Sequence, residues 1–151
     1  MSNGDTGGPY LAAAFLCEKV LQEKDGVVSA IRLVDRFILT ASGTQPPEKM
    51  PKLPVTLTML IIFKSGDARG SRTVKIKTIM PSQRVGPETL LPMFLEGDDR
   101  GVTLIANMIL EASEDGLYWF EVSCDDDFVT RIPLRIVYHR VGRGSGGTPI
   151  H

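Results

Sequence analysis

With 17 Lys and Arg against 18 Asp and Glu over 151 residues, the chain has a formal net charge of −1, which removes any global electrostatic argument for nucleic acid. Hydrophobic residues make up 42% of it, ordinary for one globular domain with a real core. Its two cysteines, Cys17 and Cys124, are too few for a disulfide framework. Both lie in apolar patterns and read as buried free thiols, with a single bridge as the alternative.

Residues 1–8 are rich in Gly, Ser and Asp, so a flexible N-terminus is expected there. The apolar run Leu11 to Cys17 is too short for a secretory signal or a bilayer span, which points to a cytoplasmic protein without membrane insertion. Tyr10 to Leu21 mixes a helical mark, Leu11-Ala12-Ala13-Ala14, with strand marks at Phe15, Cys17 and Val20. The turn Glu23-Lys24-Asp25-Gly26 and the β run from Val27 to Val34 favour the first arm of a hairpin. A helix over residues 10–21 is the alternative, because short apolar runs are ambiguous in period. Ala41 to Pro54, with Pro46, Pro47 and Pro51, reads as a long connection.

Val55 to Phe63 carries the strongest strand pattern. Val55, Leu57, Met59, Ile61 and Phe63 share one face, while Thr56 and Thr58 on the other give way to Leu60 and Ile62. Turn residues 65–70 lead to Ser71–Ile79, where Val74 and Ile76 point inward and Lys75 and Lys77 outward. After the turn at Pro81–Pro87, Thr89 to Leu95 is broken by Pro92 and reads as a short edge strand. Gly97–Gly101 is another turn, followed by a strand from Val102 to Ala112.

Gly116 to Tyr138 reads as a hairpin. Tyr118, Phe120 and Val122 face one way, and Trp119, Glu121 and Ser123 the other. Phe128, Ile132, Leu134, Ile136 and Tyr138 supply the second apolar run, with Arg131, Pro133 and Arg135 outward. Residues 141–151, rich in Gly, are expected to be a flexible tail. About eight strands with regularly spaced turns predict a single all-β domain over residues 9–140, a two-layer antiparallel sandwich.

Glu114-Asp115-Gly116-Leu117-Tyr118-Trp119-Phe120 resembles the tyrosine corner of immunoglobulin-like domains, in which a Tyr bonds back to the preceding loop. That pattern has Cys two residues after the Tyr, where this chain has Phe120, and no Trp lies in the expected third strand, residues 72–78. The wider layout also resembles a group of small uncharacterised bacterial proteins that share a domain of unknown function. This likeness extends over residues 9–139 and implies an immunoglobulin-like sandwich, with no activity to carry over.

No sequence pattern names a chemistry. His139 sits just past the last strand, and no phosphate-binding glycine loop, CxxC, HExxH or EF-hand spacing occurs. No enzyme activity and no cofactor are therefore expected. Two constellations remain. If successive turns alternate between the ends of the sandwich, Asp25, Asp67, Asp98, Asp99, Asp125, Asp126 and Asp127 gather at one pole, where they could hold Ca2+ or a small ligand. On the outward sheet face Trp119, Lys75, Lys77, Arg131 and Arg135 become neighbours around Glu121, a composition suited to a protein partner. The leading expectation is a protein-interaction or structural module that binds a partner or itself, in an oligomer or a bacterial or phage assembly.

Overall fold

The computed structural model describes residues 7–142, and over that span the chain is built of strands and turns. No helix among the described residues is long and apolar enough to cross a membrane. The two flexible ends expected from composition lie almost wholly outside the described residues. Seven strands follow in order: β1 (Tyr10–Gln22), β2 (Val28–Leu33), β3 (Arg36–Gly43), β4 (Leu53–Ile79), β5 (Val85–Ala112), β6 (Gly116–Cys124) and β7 (Asp127–Gly142).

The ambiguous N-terminal run is a strand. It pairs with β2 through the expected turn, where the Gly26 N–H donates to the Glu23 carbonyl at 3.0 Å. Its other edge pairs with β4, Leu16 opposite Met59 and Phe15 opposite Leu60. A two-sided ladder satisfies the backbone without a helix, so the Ala-rich start is overruled by its neighbours.

The largest departure from the sequence reading concerns β4 and β5. The runs expected as separate strands at 55–63 and 71–79 are one strand of 27 residues. Those at 89–95 and 102–112 likewise belong to one strand of 28 residues. Residues 65–70 and 97–101 are bends inside these strands, and pairing persists through them, with Gly66 opposite Asp98 and Arg69 opposite Glu96. Gly66 (φ 62) and Gly97 (φ 91) adopt the left-handed conformations that let paired strands turn sharply. A Cβ on Gly97 would lie 2.5 Å from Arg69 Cζ. That guanidinium crosses the bend to donate to the Glu96 carbonyl at 2.6 Å and to Asp98 at 3.4 Å. Gly97→Ala should therefore destabilise the fold by about 1–3 kcal/mol, and an unchanged urea midpoint would contradict this account of the bend.

Because both strands bend together, a single hydrogen-bonded sheet, ordered β2-β1-β4-β6-β7-β3 with β5 on β4, folds over on itself. The first layer holds β2, β1, residues 53–64 of β4 and residues 101–112 of β5. The second holds residues 85–96 of β5, residues 69–79 of β4, then β6, β7 and β3. This is the expected two-layer sandwich, reached by a different path. Leu57, Met59 and Ile61 from the first layer meet Ile76, Phe120 and Leu134 from the second in one buried cluster. Each such side chain contributes about 1.5–3 kcal/mol.

Strand β3 fell in a stretch the sequence reading left partly unassigned and partly inside the long connection, which shrinks to residues 44–52. The chain leaves the first layer at Val34, whose N–H donates to the Leu16 carbonyl at 2.9 Å. It joins the second at Asp35, whose carbonyl accepts from the Arg135 N–H at 3.0 Å. β3 then runs parallel to β7, from Arg36 opposite Arg135 to Gly43 opposite Gly142. Pro133 precedes this junction, so the N–H it lacks faces a local free edge, as a proline in a strand requires. A shift of register places Val122 opposite Thr130 and Ser123 opposite Phe128. That bulge at Val129 turns Phe128 outward, 64% exposed, correcting its expected place on the inner face.

The tyrosine corner is made. Tyr118 is fully buried; its hydroxyl donates to the Glu114 carbonyl at 2.8 Å and accepts from the Glu114 N–H at 3.1 Å. The Glu114 carboxylate reaches the turn between β4 and β5, accepting from the Ser82 N–H at 2.9 Å, the Ser82 hydroxyl at 3.0 Å and Arg84 at 3.0 Å. Burial alone would raise the Glu114 carboxyl, but the bonds from Arg84 and Ser82 outweigh it and hold it below its usual value. A carboxyl that titrates lower when folded stabilises fully above the ordinary carboxylate range, and this contribution disappears as pH falls through the folded value. The melting temperature of the wild type should therefore drop more steeply on acidification than that of Glu114→Gln. Parallel pH profiles for the two proteins would refute the assignment.

Candidate functional site

On the outer face of the second layer, register sets Lys77, Glu121 and Arg131 in one row and Ile79, Trp119 and Pro133 in the next. The expected residues are thus neighbours. Arg131 lies over the Trp119 ring, its Cζ 4.3 Å from the centroid, a cation–π contact. Lys77 Nζ is 3.7 Å from Glu121 and Lys75 Nζ 3.6 Å from Asp126. These two lysines, with Ser123 and Phe128, border a hollow of about 230 Å³. Arg135 stands one step away, between Leu117 on β6 and Arg36 on β3. Much of the charge on this face is therefore already matched within the chain.

The aspartates divide between the ends. Asp25 sits in the β1–β2 turn, beside the chain's Leu53 end, whereas the bends and the β6–β7 turn lie at the other. The alternation argument misplaced Asp25 because β3, absent from the expected elements, adds one crossing between the β1–β2 turn and the β4 bend. Asp67 lies in the β4 bend, Asp98 and Asp99 in the β5 bend, and Asp125, Asp126 and Asp127 around the β6–β7 turn. Asp98 faces Arg69 at 3.4 Å and Asp125 faces Arg72 at 3.6 Å. Asp125 also accepts from the Thr73 N–H at 2.9 Å, tying the β6–β7 turn to β4. Among the described residues no group of three or more His, Cys, Asp or Glu is placed to hold a metal ion.

A third surface was not singled out from sequence. Leu60, only 3% exposed, and Cys17, fully buried, lie outside the core cluster, on the outer face of the first layer. There the rows Phe15-Leu60-Ile105 and Leu33-Cys17-Thr58-Asn107 cross the layer side by side. Thr58 donates its hydroxyl to Asn107 at 3.0 Å, so the polar members satisfy each other. Burial pushes the Cys17 and Cys124 thiols up, keeping both protonated, and both are free. Neither row carries a charged side chain. Leu33 (68% exposed) and Ile109 (66% exposed) stand at its rim. The clue in the sequence was the change from Thr56 and Thr58 to Leu60 and Ile62, which made both faces of β4 apolar.

No family model matches the chain, and no curated protein matches it. Among solved structures it is similar to an immunoglobulin-like protein from Pseudomonas aeruginosa. The two share 12% identity with a TM-score of 0.39, over 88% of this chain and 99% of that one.

Proposed function

We propose that the chain is a non-catalytic protein-interaction or structural module. The observation that carries this reading is the apolar centre of the outer face of the first layer, with Lys19 at its margin. Leu60 and Cys17 are buried there by neighbouring side chains alone, and Leu33 and Ile109 are left in water. A contiguous apolar patch on a sheet that needs no further layer for its own core is the surface a protein partner covers. The Trp119 face is a second contact of the same module, with Arg131 stacked over the ring.

Affinity purification from the native host should recover partners with the wild type and lose them with Leu33→Asp combined with Ile109→Asp. Both sites are exposed, so the double variant should keep the wild-type circular dichroism spectrum. The same partners recovered at the same yield would remove the apolar face from the reading. Trp119→Ala, tested alongside, reports on the other face.

A further inference from the structure

The edges of this sheet are unequally defended. β5, which borders both layers, carries Pro87, Glu88, Pro92 and Glu96, then Asp98, Asp99 and Arg100 at its bend. Such residues prevent strands of other molecules from pairing. β2 is only six residues long and is kinked at Arg32 (φ 59). β3 has no such protection: from Phe37 to Gly43 it contains neither charge nor proline. Its partner among the described residues is β7 alone. β6 begins opposite Ile136, so beyond that row β3 and β7 form a two-stranded ribbon, a form marginal in water by itself.

The ladder fixes which groups are open. Asp35 presents its carbonyl to β7, and in a parallel pair alternate residues bond to the same neighbour. Residues 37, 39, 41 and 43 therefore bond to β7, while Arg36, Ile38, Thr40 and Ser42 direct their N–H and C=O groups to the free edge. We propose that this edge pairs antiparallel with β3 of a second copy, centred on Leu39. That register sets Ile38 against Thr40 and Arg36 against Ser42 of the other copy, all with backbone groups directed across the gap. It yields about eight backbone hydrogen bonds. On the inner side Leu39 meets its own symmetry mate and Phe37 meets Ala41, large against small. No like charges face each other, and each side chain keeps its inward or outward sense, as a two-fold axis normal to the sheet demands. The contact uses neither the apolar face nor the Trp119 face and stands independently of them.

Sedimentation velocity on the purified chain over about 1–100 µM should show a dimer. Thr40→Pro removes an N–H that β7 does not use, a change edge strands tolerate, and should leave a folded monomer. Ser42→Lys places a lysine against Arg36 of the other copy and should also give the monomer, while Arg36→Glu combined with Ser42→Lys should recover the dimer. That recovery holds even if Thr40→Pro fails to fold. A wild type monomeric throughout, a dimer indifferent to these changes, or a double variant that stays monomeric would each overturn the proposal.

Discussion

Replacing Tyr118 by Phe should lower the unfolding free energy by about 1–3 kcal/mol, and replacing it by Ala by about 3–5 kcal/mol. The two losses separate the hydroxyl from the ring. The hydroxyl bonds both the N–H and the carbonyl of Glu114, four residues upstream. Without it both groups lose a partner beside the core, since Tyr118 is fully buried. Glu114 in turn holds the β4–β5 turn through Ser82 and Arg84, so the phenol also anchors a second connection. Urea titrations of the three proteins measure both steps. A Phe variant as stable as the wild type would show that water replaces the hydroxyl at no cost.

A second pair of variants distinguishes the two apolar clusters. Leu57 is in the core and Leu60 is on the outer face of the same strand, and both are almost wholly removed from solvent. Leu57→Ala leaves an enclosed cavity and should cost about 2–5 kcal/mol. Leu60→Ala opens a dent that water or the Phe15 and Ile105 side chains can fill, and should cost about 1–2 kcal/mol. Equal losses, read from urea midpoints at constant slope, would mean that the outer cluster is as enclosed as the core.

The alternation of side chains was legible because burial imposes a period of two wherever one face meets a core. It located the inner faces of residues 55–63 and 71–79, of β6 and of most of β7, and the loop-to-hydroxyl bond at Tyr118. Alternation records which way a side chain points and says little about whether a glycine-rich stretch ends a strand or bends it. Residues 65–70 and 97–101 have the composition of turns, and only their mutual pairing makes them bends. Asp25 was placed at the wrong end for a different reason: β3, absent from the count, adds one crossing between the β1–β2 turn and the first bend. β3 was missed because its order in the sheet depends on a parallel partner nearly a hundred residues away, a contact no local pattern encodes. The neighbours around Trp119 followed correctly from phase, but the ion pairs of Lys75 and Lys77 with Asp126 and Glu121 required register across strands.

With β5 sealing one flank of both layers, lateral growth has only the opposite flank to work from. A strand that joins its own symmetry mate is consumed by the act, since neither copy offers that edge again. Association through β3 as proposed would therefore close at two subunits and leave that edge unavailable for growth into fibres.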